Sequence, residues 1–152
     1  MSLRTSKKKQ RRYYSGKKKR HTQKAQVITD KATGKILATA FCEGKQADFA
    51  LFKASRTALT AATVCLADSG YQGLAKLRTN AQTPQKKSKL HPLTEEDKVS
   101  NRAIARLRIG CEHVLGRLKV FKILSERYRN RRKRFGLRFN LLAAICNLER
   151  DE

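Results

Sequence analysis

The stretch Thr63-Val64-Cys65-Leu66-Ala67-Asp68-Ser69-Gly70-Tyr71 decides how this chain folds. Its first half is a continuous, partly β-branched apolar run with no polar alternation. Such a run expects apolar cover on both faces, which suits a central, buried strand of a parallel sheet flanked by helices. The run stops at Asp68-Ser69-Gly70, turn-forming residues. A carboxylate therefore stands at the carboxyl end of a buried strand, just ahead of a turn.

Upstream, Ala25 to Thr29 and Ile36 to Phe41 are β-prone, and Asp30-Lys31-Ala32-Thr33-Gly34-Lys35 lies between them. This is a hairpin with Gly34 at a positive-φ turn position and Asp30 using its side chain on nearby backbone N–H groups. Asp48 to about Ala62 reads as a helix with Phe49, Phe52 and Leu59 apolar; Asp48 suits its capped, dipole-positive start. Downstream, a short helix is expected around Gln72 to Leu77 and a weak strand near Arg78 to Thr83. Thr94 N-caps a long helix from Glu95 to Val120, with Glu95, Glu96 and Asp97 in its first turn. Ile104, Leu107, Cys111, Leu115 and Leu118 form its core stripe. Leu137 to Leu148 is a final amphipathic helix. The layout is α/β, with residues 1–22 a basic N-terminal arm or linker and residues 23–152 one folded domain.

The charge balance speaks about partners. The 152 residues hold 36 Lys and Arg against 12 Asp and Glu, a net charge of +24. A folded domain this basic attracts polyanions, and nucleic acid is the commonest. No apolar run reaches membrane-span length and the amino terminus has no signal-like apolar core, so a soluble intracellular protein with no membrane partner is expected. Lys17, Lys18, Lys19 and Arg20, together with Arg131 and Arg132 in the block from Arg127 to Arg138, are the candidates for DNA backbone contacts. Tyr13 and Tyr14 between the first basic clusters read as anchors of the arm. Cys42, Cys65, Cys111 and Cys146 sit in apolar runs, as reduced, buried cysteines do, and no metal-ligand spacing links them to His21, His91 or His113.

With so few acids, the search for chemistry is short. Most sit in turns, caps or the carboxyl terminus; Asp68 and Glu112 do not. On the long helix, Arg108, Glu112 and Lys119 stand at i, i+4 and i+11, within about 40° of one another at the edge of the core stripe. The plain reading of Arg108 and Glu112 is a surface ion pair worth a few tenths of a kcal/mol.

Arg108-x-x-x-Glu112 followed by Lys119 resembles the carboxyl-terminal signature of DDE transposases of bacterial insertion sequences, with Ala105 where that signature usually has Tyr. Tyr13 to Thr22, Ala67-Asp68-Ser69-Gly70-Tyr71-Gln72-Gly73, Asn101-Arg102 and Glu112 to Lys119 extend the likeness to the Harbinger-related branch of the family. The resemblance implies an RNase H-like fold, a mixed sheet flanked by helices, in which three carboxylates hold two Mg²⁺ (or Mn²⁺) ions for phosphodiester cleavage and strand transfer. Asp68 matches the second acid and Glu112 the third, as catalytic and metal-binding residues. Arg108 and Lys119 match cations that hold phosphate or orient Glu112. The first acid lies on a strand that the family carries ahead of the Tyr-Tyr segment, and no acid precedes Asp30 here. Asp48 is the better of the substitutes by proximity.

The expectation is therefore a truncated or split transposase domain, incomplete at its first strand, with little activity alone. Its partners would be transposon-end DNA and the upstream part of the transposase or further copies of itself, in the cytoplasm or, when DNA-bound, on the nucleoid. A basic DNA-binding remnant without catalysis is the alternative; a ribosome- or chromatin-type basic protein explains the charge but not the two acids.

Overall fold

The computed structural model describes residues 11–15, 19–88, 92–126, 128 and 132–150, without the side chains of Arg12 and Arg132. A 3₁₀ turn at Arg11–Tyr13 leads into Tyr14–Ser15 (β1), which pairs antiparallel with Arg20–His21 (β2). Gln23–Thr29 (β3) and Ile36–Glu43 (β4) form an antiparallel hairpin. Then come Asp48–Ser55 (α1), Cys65–Leu66 (β5), a 3₁₀ turn at Ser69–Tyr71, Leu74–Leu77 (α2) and Ala81–Gln82 (β6), with β5 and β6 parallel. Glu95–Val120 (α3), Lys122–Ser125 (α4) and Phe135–Leu148 (α5) complete the order. The chain is thus mixed α/β, with parallel and antiparallel pairings in small separate sheets rather than in one continuous sheet among the described residues.

Several elements form for the reasons expected. Asp30 Oδ2 accepts from Thr33 N (2.9 Å) and Thr33 Oγ1 (2.6 Å), and Gly34 takes φ 67° to close the hairpin. Helix α3 starts and ends where the sequence places it. Thr94 and Asp97 form a reciprocal capping box, Thr94 Oγ1 accepting from Asp97 N and Asp97 Oδ2 from Thr94 N. The basic arm is not free over its described part: Tyr14 lies edge-on to His21 at 5.8 Å, and Thr22 N–H donates to Tyr13 O. Lys17, Lys18 and Arg131 fall outside the described residues, as does the side chain of Arg132.

Other elements differ from expectation. Helix α1 ends at Ser55, not near Ala62, because Arg56 takes a left-handed conformation (φ 48°). Side chains from the α2–β6 connection then capture the following carbonyls. Arg78 donates to Leu59 O and Thr60 O, and Asn80 to Ala61 O, so those groups are unavailable for helical bonds. Asp48 does not cap α1 with its side chain; it is the first helical residue, paired with Lys24 at 3.0 Å. The apolar strand shrinks to β5, and Val64 is 58% exposed, so that segment is not buried on both sides. The stripe on α3 is rotated as well. Ile104 and Leu118 are buried, but Val114 is buried too, while Leu107 is 41% exposed.

The core explains the rotation. Ile36, Val114, Leu118, Phe135, Phe139, Ala143 and Cys146 cluster between the hairpin and α3 and α5, with Val27, Phe41 and Leu115 packed against them. Phe41 stands edge-on to Phe135 and Phe139 at 5.5 and 5.2 Å between centroids. Asn147 of α5 locks the hairpin down, accepting from Ile36 N (2.8 Å) and donating to Ile36 O (2.9 Å). Strand β5 contributes nothing to this cluster. The sheet side that carries Asp68 therefore stands apart from the best-packed part of the molecule.

Candidate active site

A cleft of about 640 Å³ runs between β3 on one side and the β5 segment on the other, with α3 along it. Asp48, Asp68, Tyr71, Gln26 and Arg108 all line it. Each reaches it by a different route. Asp68 leaves β5 in extended conformation and caps the following 3₁₀ turn, its Oδ1 accepting from Gly70 N at 2.7 Å. Asp48 opens α1, which packs against that turn.

Gly70 brings the two acids together. A Cβ on Gly70 would lie 2.6 Å from Asp48 Oδ2 and 2.9 Å from Asp68 Oδ1, so those oxygens are at most 5.5 Å apart, the sum of the two. Any side chain there would intrude between the carboxylates, which is the local reason for glycine. Lys24 partly neutralises the pair: its Nζ lies 3.0 Å from Asp48 Oδ1 and donates to Gln46 O at 2.7 Å.

Tyr71 responds to this environment. Burial first, then the Asp48 and Asp68 charges, hold its phenol well above the usual range. It stays protonated and donates to Gln26 Oε1 at 3.4 Å, a long bond. Gln26 is 5% exposed, and its Nε2 has no hydrogen-bond partner among the described residues. Burial also raises the Cys65 thiol, against the opposing charge of Arg78, so this cysteine is no thiolate nucleophile at neutral pH.

Glu112 reaches the cleft through Arg108. The guanidinium Nη2 lies 3.0 Å from Glu112 Oε1, with the Arg108 side chain 21% exposed and that of Glu112 57%. Arg108 lines the cleft; Glu112, one residue past cleft-lining Cys111, does not. Lys119 is exposed, about 10 Å further along α3 at 1.5 Å per residue. Lys19, just ahead of β2, and Arg20, its first residue, are exposed. The structure thus groups Asp68 with Asp48 and Arg108, and hangs Glu112 on Arg108. Among the described residues, no three His, Cys, Asp or Glu side chains form a metal-binding group. Asp48 and Asp68 supply hard oxygen donors of the kind a divalent cation takes, two acids lining one cleft.

The residue that sequence reasoning missed is Gln26, an amide inside a β-prone apolar run. That anomaly was its signal.

A family model of the DDE superfamily endonucleases matches residues 2–147. The chain belongs to this family. It is also 46% identical over 143 residues to a protein of Microchaete diplosiphon named "Probable transposase for insertion sequence element IS702". That alignment takes in 94% of this chain and 52% of the relative, so the chain spans about half the relative's length. No solved structure matches. The matched region of this DDE chain includes Asp48, Asp68, Arg108, Glu112 and Lys119. No helix among its described residues is long and apolar enough to cross a membrane.

Proposed function

We propose that this chain is the carboxyl-terminal part of a transposase catalytic domain, acting in metal-dependent cleavage and transfer of DNA strands at insertion-sequence ends. On this reading the small sheets are pieces of an RNase H-like fold. The observation that carries the reading is the approach of Asp68 and Asp48 in one cleft with Arg108, which holds Glu112.

Asp68 and Asp48 would hold a divalent ion, Mg²⁺ or Mn²⁺; Glu112 is assigned as the third acid by the resemblance, and it stands outside the cleft on Arg108. When bound, such an ion lowers the pKa of a water or 3′-hydroxyl and stabilises charge on the phosphate oxygens. The chain's own groups do the rest. Gly70 N–H fixes one oxygen of Asp68, leaving the other free to ligate. Lys24 limits the repulsion between two nearby carboxylates before a cation arrives. Arg108 orients Glu112 through a charge-assisted hydrogen bond and presents positive charge to a phosphate in the cleft. Lys119, Lys17, Lys18, Lys19, Arg20, Arg131 and Arg132 serve as backbone contacts that position DNA without reading its sequence.

The test is a chimera in which this chain replaces its matched segment of the Microchaete diplosiphon relative, assayed for nicking of terminal inverted-repeat DNA with Mg²⁺ or Mn²⁺. The chimera should cut, and Asp68→Asn and Glu112→Gln should each lower the rate at least a hundredfold. Full activity in Asp68→Asn would remove the assignment. An uncut substrate bound by a folded chimera would favour the DNA-binding remnant.

A further inference from the structure

We propose that Lys86 and Lys87 form a phosphate-binding loop for the DNA strand beside the Asp68 site, held in place by Gln72 and Asn101 as positioning residues. The inference rests on the transposase reading above, which supplies the substrate.

The topology brings the loop to the site. Strands β5 and β6 are parallel, with Leu66 opposite Gln82. Asp68 and Pro84 each lie two residues further on, so both leave the same end of that small sheet, where neighbouring strands are about 4.8 Å apart. The carboxyl ends of parallel strands are where ligands bind. From Pro84 the chain continues as Gln85-Lys86-Lys87, and both lysines are exposed.

Two side chains fasten the root of this loop. Gln72 directly follows the 3₁₀ turn that Asp68 caps, and its Nε2 donates to Pro84 O at 2.9 Å. Asn101 of α3 clamps the main chain of the next residue: its Oδ1 accepts from Gln85 N at 2.8 Å, and its Nδ2 donates to Gln85 O at 3.1 Å. Pro84 adds a fixed φ at the same point. The loop is thus tied on one side to the turn that carries Asp68 and on the other to the helix that carries Arg108. These bonds all go to main chain, so they set the path of the loop whatever its side chains. Lysines kept only for solubility gain nothing from such fastening; lysines that must meet a phosphate at a set place do.

Helical geometry aligns the clamp with the site. Asn101, Arg108 and Lys119 stand at i, i+7 and i+18, within about 20° of one another, and Asn101 lies about 10 Å from Arg108 along the axis. One strand of a duplex carries a phosphate for roughly each 3.4 Å of its axis, so the loop and Arg108 are about three phosphates apart on a strand that follows α3.

The charge is available. Lys24 is paired with Asp48 and Lys98 with Glu95, whereas neither Lys86 nor Lys87 has an acidic partner among the described residues. Each ammonium keeps its donors for a phosphate.

The experiment measures binding of terminal inverted-repeat duplex DNA by the full chain, in EDTA, by fluorescence anisotropy over a range of salt. Lys86→Ala with Lys87→Ala should weaken binding at least tenfold at low salt and flatten the slope of log K against log salt by about two. Asn101→Ala removes no charge and places a strong helix former within α3, so the fold holds. It should weaken binding about threefold or more, and in its presence the lysine replacements should cost less than they do in the wild type, because lysines on an unfastened loop contribute less. If Asn101→Ala melts early, Gln72→Ala completes the same cycle. In the chimera, the lysine replacements should raise KM for nicking about fivefold or more and leave kcat within about twofold. An unchanged salt slope in the lysine variant, or the same loss with and without the clamp, overturns the proposal. Binding in EDTA needs no metal site, so an uncut substrate in the chimera removes the transposase reading while the salt slope still decides the loop.

Discussion

Asn147 is the point at which a single side chain holds the hairpin to the helical layer. Asn147→Leu keeps the volume but leaves the N–H and C=O of Ile36 without the partners they have at 2.8 and 2.9 Å. Ile36 is itself buried in the core cluster, so water cannot readily replace the lost bonds. An unsatisfied buried polar group costs about 1–3 kcal/mol, so two should cost about 2–5 kcal/mol, less a fraction returned by apolar contact of the new side chain. Domain stabilities are about 5–15 kcal/mol, so the loss is a large share. Urea denaturation followed by circular dichroism is the assay. With a slope of about 1–3 kcal/mol per molar, the midpoint should fall by about 1–2 M without a change in slope. The control is Asn140→Ala, whose bond from Thr39 Oγ1 is exposed and bridges the same two elements. It should cost below about 1 kcal/mol. An Asn147→Leu midpoint within error of the wild type, or equal to that of Asn140→Ala, would refute the reasoning.

DNA affinity should fall about a thousandfold between 50 and 200 mM salt if about six phosphates are contacted, and each of Lys19→Ala and Arg20→Ala should flatten the salt slope by about one, read by fluorescence anisotropy. Asp30 should show in acid. Its hydrogen bonds, from the Thr33 hydroxyl first and the Thr33 N–H next, hold its carboxyl below the usual range. The folded form therefore binds the proton less readily than the unfolded chain. That contribution is complete above the ordinary carboxylate pKa and is lost as pH falls through the lowered one. Asp30→Asn should flatten the acid limb of the stability profile, and an unchanged limb counts against the turn assignment. Gly70→Ala, whose new Cβ would meet Asp48 and Asp68 oxygens at 2.6 and 2.9 Å, should fold but bind Mn²⁺ at least tenfold more weakly in an electron paramagnetic resonance titration.

What was legible in the sequence was local. Helix α3 follows from its capping box and apolar spacing, and the hairpin from Asp30 and Gly34, since each signal acts within a few residues. The end of α1 was not, because carbonyls 59–61 are claimed by Arg78 and Asn80 from some twenty residues away. The face of α3 was misjudged at Leu107 for a related reason. Helical periodicity gives the stripe but not what lies opposite it, and opposite Leu107 is an open cleft. Asp68 was legible as an acid ending a strand. Its approach to Asp48 depends on how α1 crosses the turn at Gly70, and no spacing rule contains that crossing.

The account turns on whether Asp68 belongs to a divalent-cation site, and a Mn²⁺ thermal titration of the wild-type chain beside Asp68→Asn measures that directly. At a free concentration a hundredfold above Kd, one bound ion stabilises the fold by about 2.7 kcal/mol, a rise of about 5–10 °C in Tm for a domain of this size. The wild type should show that rise and Asp68→Asn should show none. Equal rises in both proteins, or no rise in the wild type, would contradict the account.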